Sequence, residues 1–88
     1  MRSSTSRTSG GDWVYPLSVA VPGKKYIIVA IQARNHAVKR LAQLGLLKNT
    51  PVFVIKNLGR GPILVEARNS KIVLGRGLAN KIIVQPLN

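Results

Sequence analysis

Asn35-His36-Ala37-Val38-Lys39-Arg40-Leu41-Ala42-Gln43-Leu44-Gly45-Leu46, followed closely by Pro51-Val52-Phe53-Val54-Ile55-Lys56, carries two different periods in one short stretch. Ala37, Val38, Leu41 and Leu44 recur at helical spacing, with Lys39, Arg40 and Gln43 opposite them. That spacing predicts one short amphipathic helix over 35–44. Asn35 suits its start, because its side-chain oxygen can accept a hydrogen bond from a free N–H of the first turn. Gly45 suits its end, since glycine enters the left-handed region without a Cβ clash, and Leu46 can then fold back on Leu41. From Pro51 the period falls to two, which predicts a strand running to Leu58. Pro51 stands at its first residue, where a missing N–H does least harm.

Upstream of the helix, Lys24 to Ile31 reads as a strand with Tyr26, Ile28 and Ala30 on one face and Ile27, Val29 and Ile31 on the other. Both faces are apolar, so both are expected to be covered, as in a central strand of a small barrel. Trp13-Val14-Tyr15-Pro16-Leu17 opens the ordered part, and Pro22-Gly23 marks a turn. Downstream, Asn57 to Pro62 reads as a glycine-rich hairpin loop. Ile63 to Arg68 is a third strand, with Ile63, Val65 and Ala67 on one face and Leu64, Glu66 and Arg68 on the other. Arg68-Asn69-Ser70 is a tight turn, Lys71 to Leu74 a fourth strand, and Gly75 to Asn80 a short connection with room for one helical turn. Ile82-Ile83-Val84 closes as a fifth strand. The predicted class is mainly β: a small SH3-like β-barrel of about five strands, with one short helix between the first and second strands. An OB-fold is the nearest competitor, but its helix usually lies between the third and fourth strands.

Eighty-eight residues make room for one small domain. Residues 1–12 are Ser, Thr, Arg and Gly after Met1 and predict a disordered tail, leaving 13–88 as the domain. Cysteine is absent, which removes disulfides, thiolate ligands and a thiol nucleophile. The longest apolar run, Tyr26 to Ile31, is too short to span a bilayer, so the expectation is a soluble, cytoplasmic chain. Lys and Arg total 14 against two acids, Asp12 and Glu66, for a net charge of +12. That balance favours polyanionic partners such as nucleic acid, an acidic protein or an anionic lipid surface. It also disfavours catalysis, because paired acid and base groups are missing.

The helix end Lys39-Arg40-Leu41-Ala42-Gln43-Leu44-Gly45-Leu46, the strand Val52-Phe53-Val54-Ile55, the hairpin residues Leu58-Gly59 and Pro62-Ile63, then Ile72-Val73-Leu74 and Ile82-Ile83-Val84, together resemble the FeoA family. Leu17 and Gly23 match that family's early leucine and glycine. The resemblance covers about 17–85. It implies a non-catalytic accessory protein of bacterial ferrous iron uptake that binds the cytosolic part of the FeoB transporter. A similar SH3-like module also forms the C-terminal domain of metal-dependent transcription regulators. Two positions depart from the pattern. Lys48-Asn49 stands where the family usually has Pro-Gly, a change Asn tolerates because it can adopt a left-handed backbone. Arg60-Gly61 stands where the hairpin usually carries an acid, which adds positive charge at the loop tip.

No catalytic, cofactor-binding or metal-ligating set emerges from the residues. His36 is the only histidine and is read as a solvated residue, since a metal needs more ligands than one His and two acids supply. Gly75-Arg76-Gly77-Leu78-Ala79-Asn80 lacks the final glycine and the βαβ context of a dinucleotide fingerprint. The cations Lys24, Lys25, Arg34, Lys39, Arg40, Lys48, Lys56, Arg60, Arg68, Lys71, Arg76 and Lys81 are spread along the chain. A metal-regulator-type SH3-like domain is one alternative reading, and a basic nucleic-acid-binding barrel, SH3-like or OB-like, is the other. The latter rests on charge alone, because Tyr26 and Phe53 are expected in the core rather than as stacking platforms. The expected partner-binding set is Leu47, Lys48, Leu58 and Arg60: a small apolar patch with a basic rim, formed if the fold brings the helix end and the hairpin side by side. Lys71 and Arg68 are expected to guard one sheet edge.

Overall fold

The computed structural model describes residues 13–87. The sequence-derived tail over 1–12 lies outside the described residues. The order of elements is β1 (Tyr15–Pro16), a 3-10 turn (Leu17–Val19), β2 (Lys25–Ile31), α1 (Asn35–Gln43), β3 (Pro51–Lys56), β4 (Ile63–Ala67), β5 (Ser70–Leu74), α2 (Arg76–Ala79) and β6 (Ile82–Pro86). All pairings are antiparallel, and the strands form one curled sheet in the order β1-β6-β2-β3-β4-β5. Six strands therefore replace the expected five. The extra one is the two-residue β1, too short and too proline-bound to show a period of its own. It exists because β6 offers an edge, with Tyr15 opposite Val84 and Pro16 opposite Ile83. Among the described residues the ladder ends at β1 and β5 and does not close.

The expected strand faces are present. Tyr26 and Ile28 of β2, Val52 and Val54 of β3, Ile63, Val65 and Ala67 of β4, Ile72 and Leu74 of β5, and Ile82 and Val84 of β6 are all buried together with Leu17, Leu41 and Leu46. β2 is central, paired with β6 and β3. An extra residue at Val29 shifts its register against β6, and beyond this bulge Ile31 packs against the core. Phe53 departs from expectation. It is half-buried on the outer face, in a cross-strand row with Lys25, Glu66 and Lys71.

Gly45 ends α1 as its sequence predicts, with φ +89. Its N–H donates to the Ala42 carbonyl at 2.9 Å and the Leu46 N–H donates to the Leu41 carbonyl at 2.9 Å. This is the paired hydrogen-bond pattern of a Schellman stop, and it drives Leu46 into the core beside Leu41. The helix start differs from expectation. Arg34, with extended φ and ψ, is the capping position, and no side chain bonds the first turn. Asn35 is already helical, so its side chain is not placed to cap. Leu44 also differs: it is exposed at the stop rather than part of the core. After the stop, Asn49 takes φ +71, and its N–H donates to the Ile28 carbonyl. The turn survives without the Pro-Gly pair for the reason given above.

Candidate functional site

β3 leaves the sheet at Lys56 and enters the Asn57–Pro62 loop. A register shift after Val54 makes Ile55 the extra residue, so Lys56 stands opposite Leu64. Leu64 in turn stands opposite Val73. This cross-strand row forms the floor of an open groove of about 520 Å³, lined by Lys56, Leu58, Arg60, Gly61, Pro62, Ile63, Leu64 and Val73. Leu58 is 71% exposed and Val73 67% exposed, the two most exposed large apolar side chains among the described residues. Among the described residues the only charged side chains lining the groove are two cations, Lys56 and Arg60. An apolar floor with a cationic rim can take an apolar side chain whose neighbours are acidic.

Asn57 and Arg76 hold the loop in place. The Asn57 side-chain amide donates to the Ser18 and Ala20 carbonyls at 3.0 and 2.9 Å. Its oxygen accepts from the Gly59 N–H at 3.0 Å. The Arg76 guanidinium donates to the Ser18 carbonyl at 2.8 Å, to Asn57 Oδ1 at 2.7 Å and to the Gly61 carbonyl at 3.2 Å. A planar fork of donors suits three acceptors fanned out in this way. Ser18 Oγ bonds Asn80 Oδ1, and the Val21 N–H donates to the Tyr26 hydroxyl at 2.8 Å. One cation thus joins the 3-10 turn, the hairpin loop and α2. Sequence reasoning counted Arg76 among the scattered charges. No local signal marks it, because its partners lie 15 to 58 residues away.

The expected four-residue patch is not brought together. Leu58 and Arg60 line the groove at the end of β3. Leu47 and Lys48 precede the start of β3, with the Thr50 N–H donating to the Leu47 carbonyl. Between them runs the whole strand, roughly 17 Å at 3.4 Å per residue. The helix stop faces the opposite turn: a Cβ on Gly45 would lie 3.2 Å from Arg68 Cδ. Leu47 is exposed there, away from the groove. His36 is exposed beside Arg34, Asn35 and Lys39 at the start of α1, among cations rather than metal ligands. Every cation of the basic set is exposed except Arg76, which is half-buried. Lys71 and Arg68 do sit at the β5 edge, exposed as expected. The Gly75–Asn80 segment is a connection with one helical turn, α2. No helix among the described residues is long and apolar enough to cross a membrane.

The FeoA domain family matches residues 15–86, the whole sheet with both helices. The chain belongs to the FeoA family. It is 38% identical over 72 residues to a candidate Fe(2+) transport protein A of Methanocaldococcus jannaschii, covering 82% of this chain and 87% of that one. A crystal structure of an iron uptake regulatory protein, FeoA, superposes with a TM-score of 0.81 at 32% identity, covering 85% of this chain and all of that one. The FeoA of Stenotrophomonas maltophilia, solved with zinc and described as a prokaryotic SH3 domain protein, superposes with a TM-score of 0.67 at 25% identity, over 77% of this chain and 86% of that one. The SH3-like fold class and the family expected from the sequence therefore hold for this FeoA-family chain.

Proposed function

We propose that this chain is a non-catalytic, cytoplasmic accessory protein of ferrous iron uptake that docks on the cytosolic part of a FeoB-type transporter. Docking is through the groove between the Asn57–Pro62 loop and β5. Leu58 and Val73 supply apolar contact and Lys56 and Arg60 complement an acidic partner. The observation that carries the reading is this groove in a member of the FeoA family: one exposed aliphatic on a clamped loop and another on β5, with Lys56 and Arg60 on the rim. The family's association with Fe(2+) transport supports it. So does the scarcity of acid and base groups, with two carboxylates and one histidine in the chain. Leu47 and Lys48 enter the proposal as a second contact point, reached only by a partner that spans the length of β3.

The test is binding of the purified chain to the transporter's purified cytosolic domain at moderate salt. Leu58→Asp removes apolar burial of about 1.5–3 kcal/mol and buries a charge in its place, so a loss of at least tenfold is expected. Arg60→Glu is expected to slow association and to weaken its salt dependence. Leu47→Asp distinguishes one contact from two: unchanged affinity restricts docking to the groove. Failure of the wild-type chain to bind, together with tight RNA binding whose log affinity falls linearly with log salt, would replace the docking reading with a nucleic-acid one.

A further inference from the structure

We infer that the segment seated at the groove is an extended, acidic strand of the partner that adds to the free edge of β5; this rests on the docking reading above and names the form of the contact.

The edge is defined by the turn before it. Arg68 and Asn69 both have positive φ, +53 and +65, which makes the β4–β5 connection a two-residue hairpin of the mirror-image type. Ala67 and Ser70, which flank it, form the closing hydrogen-bonded pair. Backbone groups alternate from there. Ser70, Ile72 and Leu74 turn their N–H and C=O toward β4, and Lys71 and Val73 turn theirs outward. β5 is the last strand of the sheet. Among the described residues, no backbone hydrogen bond reaches Lys71 or Val73 from beyond β4. Two donors and two acceptors therefore stand in a row along the edge, a ready template for one more strand.

The side chains say which strand. On the outer face Lys71 and Val73 alternate with the buried Ile72 and Leu74. An added strand places one outer-face residue beside Lys71 and another, two positions along, beside Val73, whose exposed side chain also lines the groove. The pairing asks for a carboxylate at the first position and an aliphatic residue at the second. Lys56 and Arg60 stand at the Val73 end of this face and Arg68 in the turn before Lys71; among the described residues Glu66, opposite Lys71 in β4, is the only acid on the face. A second copy of this chain is a poor occupant, because its β5 carries no carboxylate to set beside Lys71 and two chains of net charge +12 are brought together.

The experiment is residue-resolved amide exchange on the full chain, alone and with the purified FeoB cytosolic domain, beside a binding titration. In the free chain the Ile72 and Leu74 amides exchange slowly and those of Lys71 and Val73 rapidly. On binding, the Lys71 and Val73 amides slow at least tenfold. Val73→Pro removes one outward N–H and leaves the β4 ladder intact, so it weakens binding at least tenfold while Ile72 and Leu74 stay protected. Lys71→Glu, which alters no backbone group, weakens binding at least fivefold and serves if the proline variant does not fold. Undiminished binding with Lys71 and Val73 still fast overturns strand addition and leaves groove docking in place. Absence of wild-type binding overturns both. Slow exchange at Lys71 and Val73 in the free chain overturns strand addition, through a covered edge if independent of concentration and through self-pairing if it rises with concentration.

Discussion

Replacing Arg76 with alanine tests the clamp that shapes the groove. The guanidinium makes two part-buried bonds, to the Ser18 carbonyl and Asn57 Oδ1, and one exposed bond to the Gly61 carbonyl. A hydrogen bond from a charged donor contributes about 1.5–3 kcal/mol net. The exposed bond adds little, because water replaces it. The freed Ser18 carbonyl and Asn57 oxygen each keep a second donor, from Asn57 Nδ2 and the Gly59 N–H. The immobilised side chain also regains rotamer entropy. Together these set the loss at about 2–3 kcal/mol, at or just below the low end of two full bonds. For a domain of this size, about 4–8 °C per kcal/mol converts that to roughly 10–20 °C in Tm. Urea unfolding followed by circular dichroism measures it, with an unchanged m-value showing that the two-state frame holds. Arg76→Lys keeps the charge but has no planar fork, so it should recover less than half of the loss. A loss below about 0.5 kcal/mol for the alanine variant, or full recovery by lysine, refutes the clamp as a stabilising element.

Four further outcomes follow from other parts of the chain. Gly45→Ala forces a left-handed alanine whose Cβ would sit 3.2 Å from the flexible Arg68 side chain, and should cost about 1–2 kcal/mol in a denaturation series. Gly77→Ala, inside α2 with open space around the new methyl, should instead stabilise by up to about 1 kcal/mol; opposite signs at two glycines are the check. Leu46→Ala empties a fully buried position beside Leu41 and should cost about 2–5 kcal/mol in the same assay. Raising salt from about 10 mM to 0.5 M shortens the screening length severalfold and relieves the repulsion of a +12 chain, so the urea midpoint should rise by the equivalent of roughly 1–3 kcal/mol.

The elements that local chemistry specifies were legible in the residues. The β3 and β4 faces alternate because period two places Val52, Val54, Ile63 and Val65 on one side. The Gly45 stop and the return of Leu46 need only one residue free to take positive φ. Long-range pairing was not legible. Tyr15 and Pro16 form a strand only because β6, some 67 residues later, presents an edge to them. Phe53 faces outward because its neighbours across the sheet are Lys25 and Glu66. The same limit governs the candidate site. Leu58 and Arg60 were readable as a basic-rimmed apolar pair, since they share one loop. Their union with Leu47 and Lys48 was not, because β3 holds the two pairs at its opposite ends. Val73 completes the groove from another strand, and Arg76 holds its loop from 15 or more residues away. Sequence alone therefore determined the helix with its stop and the main strands, each an effect of neighbours within a few positions, and the family and the excess of positive charge, which need no knowledge of contacts. Only the tertiary structure decided which cations stabilise the fold and which stand free, and where exposed aliphatics meet an unpaired strand edge, because those depend on contacts between residues far apart in the chain.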